Sequence, residues 1–205
     1  MASSHSSFAA SSAEARALVD RGFAHRTRAA EELRAAIREY ERAIELDPSL
    51  AQAHYMLVDA YAALGQAHDA VARYERLVAE APDDLLARRS LAQAYVASGR
   101  WEDARDAIDA GLRLEPDDAF LLDQQASLLQ GTGRYEDALA TWQRALAADT
   151  GSIGGHYMRA FLLERLGRRD EAVAEWQAII AWCRERGYDE DVEWPERELA
   201  RLQAG

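Results

Sequence analysis

Five histidines, one cysteine and 36 acidic residues are the groups from which this 205-residue chain could build a reactive or metal-binding centre. A zinc hydrolase helix needs two histidines four residues apart with a carboxylate between them. His5, His25, His54, His68 and His156 contain no such pair. A nucleophilic cysteine needs a base beside it. Cys183 lies among Ile179, Ile180 and Trp182, which predicts a buried, inert thiol. The pairs Asp83–Asp84 and Asp117–Asp118 recur 34 residues apart, which fits helix N-caps better than acid catalysis. Asp189-Glu190-Asp191 lacks the spaced ligands and the glycine of a calcium loop, so it reads as a solvated linker. The Gly-rich run GSIGG at 151–155 opens a helix but has no lysine to reach a phosphate. Gly154 and Gly155 each weaken that helix start by roughly 1 kcal/mol relative to Ala, which marks a hinge or a close backbone approach. No catalytic, metal or cofactor site is expected, and the chain reads as a non-enzyme.

Composition narrows the chemistry further. All 24 basic residues are Arg, and Asn is absent as well as Lys. Lysine Schiff bases, a Walker-type phosphate loop and N-glycosylation are therefore excluded, whether or not codon bias caused the zeros. A single cysteine excludes an intramolecular disulfide and a multi-cysteine zinc site. The net charge of −12 argues against nucleic acid or anionic lipid as the main partner. No run of residues is long and apolar enough to span a bilayer. The start, MASSHSSFAASS, has no basic n-region and no long apolar run, so no secretory signal is expected. Its Ser and Ala enrichment leaves a transit peptide as the alternative to a cytoplasmic protein. Residues 1–10 are expected to be a disordered segment.

The elements that would carry any site follow a period. Pro48, Pro82 and Pro116 fall 34 residues apart. Ala36, Ala70, Ala104, Ala138 and Ala172 form a second column, and Gly65, Gly99, Gly133 and Gly167 a third. A column of large residues reads Tyr40, Tyr74, Ile108, Trp142 and Trp176. Leu57 and Leu91 recur, as do Tyr61 and Tyr95, with Leu129 and Leu163 in the later repeats. Each period carries two amphipathic helices. The glycine suits a turn with positive φ, the alanine lets two helices approach, and the proline ends the second helix. Ser49 and Ser152 are expected to cap helices where the aspartates are missing.

These columns resemble the tetratricopeptide repeat family, as segments such as GRWEDARDAIDAGLRLEP and GRYEDALATWQRALAADT illustrate. The resemblance implies an all-α fold, a right-handed superhelical solenoid of helix-turn-helix repeats with a C-terminal capping helix. Repeats are placed at about 17–50, 51–84, 85–118, 119–152 and 153–186, within an array spanning 11–186. Repeat 1 has Glu31 in the glycine slot, and its first helix is expected to start near the Ser11…Glu14 capping box and to turn near 27–31. Repeat 5 has Arg184 in the proline slot, so its second helix is expected to continue to Arg186 and stop at Gly187. Residues 187–205 read as an acidic linker, Asp189 to Glu193, and a last helix over 195–203 with Pro195 in its first turn and Leu199 and Leu202 facing the array.

In this family the first helix of each repeat lines a concave groove that receives a peptide or helix. The corresponding slots here hold Leu18, Arg21, His25 and Arg28, then Gln52, Tyr55 and Asp59, then Leu86, Arg89 and Gln93. Phe120, Asp123 and Ser127 follow, and Tyr157, Phe161, Glu164 and Arg165 close the row. Apolar side chains outside the packing slots suit a partner-binding groove, unless flanking helices or chain ends cover them. His54 and His156 share a packing slot and are expected in the core, and His68 is expected in solvent. Residues 51–118 carry 7 Arg against 13 acids, whereas 11–29 carry 4 Arg against 2. Arg21, Arg28 and Arg89 are thus candidates to orient an acidic partner segment.

One known groove chemistry is disfavoured. The clamp that holds acidic chaperone tails uses Lys and Asn. Here Arg21 and Arg89 stand at a Lys-type slot, while His25, Asp59 and Gln93 stand at the Asn-type slot. The related RNA-reading repeats are usually basic, and this chain is acidic. The expected function is a protein-interaction adaptor, assembly factor or scaffold subunit that binds a protein or peptide. A peptide or small-ligand sensor and a self-associating structural subunit are the alternatives.

Overall fold

The computed structural model describes residues 27–149 and 153–204. Helix α1 occupies 27–46. It is followed by α2 (Ala51–Ala63), α3 (Ala67–Glu80), α4 (Leu85–Ala97), α5 (Trp101–Leu114), α6 (Ala119–Gly131), α7 (Tyr135–Ala148), α8 (Ile153–Arg165) and α9 (Arg169–Glu185). A 3-10 turn, Asp189–Val192, leads into α10 (Glu193–Ala204). No strand occurs among the described residues. The chain divides into two compact units, Met1–Arg73 and Tyr74–Gly205, with the division inside α3.

The glycine column makes the turns. Gly65, Gly99, Gly133 and Gly167 all adopt φ between +72° and +77°, the left-handed region that a side chain makes costly. Gly187 does the same after α9, at φ +75°. That helix runs Arg169–Glu185 with Arg186 at its C-cap, so the arginine in the proline slot lets the helix continue as expected.

Within the second unit α4–α5, α6–α7 and α8–α9 pack as pairs, and each pair packs on the next through α5–α6 and α7–α8. The small-residue column allows this. Ala104, Ala138 and Ala172 are fully buried, beside the large side chains Ile108, Trp142 and Trp176 one turn further on. One core cluster joins Leu122 and Ala126 of α6 to Leu139 and Trp142 of α7 and Leu162 and Leu163 of α8. In the first unit, Ile37 and Ile44 of α1 pack with Ala53, Leu57 and Ala60 of α2.

Two expectations are corrected here. The turn near 27–31 does not occur, because residues 27–46 are one helix. Ala29, Ala30 and Glu31 to Leu33 are strong helix formers, and no glycine supplies a left-handed break. Ser49 does not cap α2. The N-cap residue is Leu50, without a side-chain cap bond. Ser49 instead donates from its N–H and its hydroxyl to Asp47 Oδ1, at 3.0 and 2.6 Å. These bonds, the hydroxyl foremost, hold the Asp47 carboxyl below its ordinary range. The cap slot is the second residue of each pair. Asp84 and Asp118 accept from Ala87 N–H at 3.0 Å and Leu121 N–H at 2.9 Å. The segment 1–10, the Ser11…Glu14 box and Ser152 lie outside the described residues.

The chain end also differs from expectation in detail. The acidic run forms a 3-10 turn rather than an open linker, and α10 begins two residues early, which leaves Pro195 buried in its first turn. Leu199 and Leu202 pack on the cluster of Ala160, Trp176, Ile179 and Cys183.

The glycines separate into classes that substitution distinguishes. Gly133→Ala should lower stability by about 1 kcal/mol, through its positive φ. Gly154, in α8, has nothing within 4 Å of an added Cβ. Gly154→Ala should raise stability by about 0.5 kcal/mol. The same change at Gly155 sets a Cβ 2.8 Å from Leu146 and 3.3 Å from Trp142, so it should forfeit that gain. Urea denaturation of the three variants checks the order.

Candidate functional site

The slots of one repeat position reveal what the side chains are used for. His54 is buried, with Nε2 3.0 Å from the Pro48 carbonyl. One period on, Arg88 donates from Nε to the Pro82 carbonyl at 2.7 Å. Two different side chains thus satisfy the same kind of loop carbonyl. His156, two periods further, has Nδ1 2.6 Å from Glu175 Oε1, while Arg159 donates to Glu175 Oε2 at 2.6 Å. Glu175 is buried, so this trio compensates a charge that would otherwise be costly. His68 is exposed beside Asp69. Cys183 is buried, and burial raises its thiol pKa, which keeps it protonated and unreactive. Among the described residues no three His, Cys, Asp or Glu side chains gather as a metal site.

The tyrosine column has a polar purpose that its apolar neighbours conceal. Tyr61 donates to Glu41 at 3.3 Å and Tyr95 to Glu75 at 2.9 Å, each pair 20 residues apart. Burial foremost, and then the Glu75 carboxylate, push the Tyr95 phenol up to about 12. Arg100 lies over the Tyr95 ring at 4.5 Å. Arg100, Arg134 and Arg168, each next to a turn glycine, also bridge to Asp103, Asp137 and Glu171 at 2.6 to 2.8 Å. That arginine–acid period was visible in the sequence as a recurring pair but carries no packing signature.

The groove residues fall into separate groups. Arg21 and His25 lie outside the described residues. Arg28 is exposed and paired with Glu32 at 3.0 Å. Tyr55 is half-buried and Asp59 exposed, both on α2 in the first unit. In the second unit Arg89 does not present a free cation to a partner. Its Nε donates to Asp118 Oδ2 at 2.6 Å, and Asp118 is the buried N-cap carboxylate of α6. Gln93 is half-buried one turn further along α4. Tyr157 and Phe161 pack under the chain end: Trp194 of α10 lies 5.2 Å from Tyr157 and 5.6 Å from Phe161, centroid to centroid. Trp176 completes the cluster, edge-on to Phe161 at 5.5 Å and to Trp194 at 5.4 Å. Trp176 also donates from Nε1 to Glu164 at 2.8 Å, and Arg201 of α10 bridges to the same carboxylate group.

Phe120 and Asp123 stand at a cavity. It measures about 260 Å3, and Ala119, Trp142, Ala145, Leu146 and Asp149 complete its lining. Among the described residues, the lining has two aromatic rings, two carboxylates and no basic side chain. Asp123 accepts from Gln124 Nε2 at 3.1 Å, and burial raises its carboxyl above the ordinary range. Gly155 borders the same region. The close approach anticipated at this junction is made by Leu146 and Trp142, which leave no room for a Cβ there. A second cavity of about 570 Å3 opens between α5, α6 and α7, beside Trp101, which is 57% exposed. Among the described residues no helix is long and apolar enough to cross a membrane.

Three family models match the chain. One, described as TPR repeat, matches residues 24–65, and two, described as tetratricopeptide repeat, match 62–122 and 124–189. Among solved structures, TTC0263, a thermophilic TPR protein in Thermus thermophilus, is 26% identical, with a TM-score of 0.64 over 84% of this chain and 91% of that one. A structure of MamA is 20% identical, with a TM-score of 0.60 over 77% of this chain and 92% of that one. MamA from Desulfovibrio magneticus, from residue 41 to its end, is 18% identical, with a TM-score of 0.58 over 75% and 86%. The MamA similarities are of fold alone. None of the curated proteins compared with the chain matches it.

Two measurements probe this geometry. Arg89→Ala leaves the buried Asp118 carboxylate without its cation and should destabilise the protein by about 3 kcal/mol, with Arg89→Lys between it and the natural chain. A loss below about 1 kcal/mol in urea titration would assign the pair a surface role. At Asp123 the folded state holds the proton more tightly than the unfolded chain, so ionisation costs stability. The cost is absent well below the ordinary value of 3.8 and complete once pH passes the raised one. Asp123→Asn should therefore stabilise the protein at neutral pH and lose that advantage on acidification.

Proposed function

The chain belongs to the tetratricopeptide repeat family, and we propose that it is a non-enzymatic protein-interaction module that holds an extended or helical partner segment along the first-helix face of its repeats. Within that role the finer reading is an adaptor, assembly factor or scaffold subunit. The observation that carries it is the Phe120–Asp123 cavity. A half-buried carboxylate next to aromatic walls, its pKa raised by burial, costs stability in the absence of a cation. Such a place suits a basic side chain whose aliphatic stem lies on Phe120 and Trp142 and whose charge meets Asp123.

This replaces the acidic partner anticipated from the arginines, since Arg89 already neutralises Asp118 and Arg28 already faces Glu32. Gln93 stays in the proposal as a further contact on α4 of the second unit; Tyr55 and Asp59, on α2 of the first unit, stay as candidate contacts of that unit, and Arg21 and His25 as candidates from the sequence. A scaffold needs a second surface, and the cavity beside the exposed Trp101 supports one.

Selection of peptides from a random display library against the full chain tests the reading. The enriched sequences should combine a Lys or Arg with neighbouring apolar residues. Phe120→Ala and Asp123→Asn should each weaken the selected peptide by about tenfold, the worth of a good charged or aromatic contact. Equal affinity for the natural chain and both variants would move recognition away from this cavity.

A further inference from the structure

A third cavity, of about 630 Å3, lies where the chain end closes over the last repeat. Its size is that of a small-molecule site. Tyr157 comes from α8, Trp182 from α9, Tyr188 from the turn after α9, and Trp194 from α10, so four aromatic side chains from different elements line one space. The Asp191 and Glu193 carboxylates, both exposed, stand on the same lining, and among its described residues Arg197 is the one cation.

The rings are not parallel. Tyr157 and Trp194 are inclined at 50°, and Trp182 and Tyr188 at 34°. Both are contacting pairs, with centroids 5.2 and 5.8 Å apart, so a ligand in the cavity meets the outer faces and edges of the rings and does not slot between two of them. Aromatic faces carry negative potential and attract cations that shed water easily. Arg186 shows the attraction at work, with its guanidinium 4.3 Å over the Trp182 ring. We propose that this cavity binds a small alkylammonium group, seated among the rings of Tyr157, Tyr188 and Trp194, with the Asp191 and Glu193 carboxylates balancing its charge. The site is separate from the Phe120–Asp123 cavity and does not rest on the reading of that groove.

Calorimetric titration of the full chain with choline tests it. The comparison ligand is 3,3-dimethylbutan-1-ol, which has the same shape without the charge. Choline should bind one to one and at least about tenfold more tightly than the neutral alcohol. Trp194→Leu should weaken choline by about fivefold or more. That residue also packs the chain end, so Asp191→Asn with Glu193→Gln, at unchanged melting temperature, gives the deciding variant, expected to lose about threefold. A trimethyl-lysine peptide, titrated beside its unmodified form, separates the two sources of such a group. Tighter binding than choline assigns the cavity to a modified partner chain, and weaker binding assigns it to a free metabolite. The proposal is overturned if choline gives no saturable heat at tens of millimolar, if the neutral alcohol binds as well, or if the carboxamide variant binds choline like the natural chain.

Discussion

The structure depends on how closely two helices can approach at an alanine. Ala104, Ala138 and Ala172 have no exposed surface, and each stands one turn before a large side chain that fills the space the methyl group leaves. A bulkier residue at the alanine would push the helices apart and unseat Ile108, Trp142 or Trp176 together. No pair buries its own apolar face completely, so each repeat relies on its neighbour. The glycines at φ near +75° return the chain at the same place each time, which keeps the alanine slot aligned.

Polar residues occupy the remaining period. The Tyr–Glu bonds at 61–41 and 95–75, and the carbonyl bonds of His54 and Arg88, occur in slots where the large and small residues do not compete. They satisfy groups that packing would otherwise strand. The candidate binding places arise where that economy is broken: at Asp123, where a carboxylate is desolvated, and at the chain end, where four aromatic residues meet around a space.

Much of the fold was legible because its determinants repeat. Gly65, Gly99, Gly133 and Gly167 appear in the sequence as a column and in the structure as one turn conformation. The cap register was not legible to the residue: Asp83 and Asp84 look alike in sequence, and only the position of the first free N–H separates them. The absent turn at 27–31 shows that a missing glycine extends a helix when alanine and glutamate flank it. The candidate site was harder to read. Arg89 stood in a groove slot, yet its partner is 29 residues away in a cap. Tyr157 and Phe161 stood in the same row, yet Trp194, outside the period, lies against both. Contacts made by non-repeating segments leave no column to find.

The Arg89–Asp118 pair has a consequence for the order in which this unit comes apart. Asp118 starts α6, and the arginine that neutralises it belongs to α4 in the preceding repeat. A helix start that borrows its counter-charge from the previous repeat cannot form early on its own. Such a link adds a nearest-neighbour energy to the intrinsic energy of each repeat, as in a one-dimensional chain of coupled elements. Opening of α4 therefore removes the counter-charge from the start of α6, which couples amide exchange at that helix start to the integrity of α4.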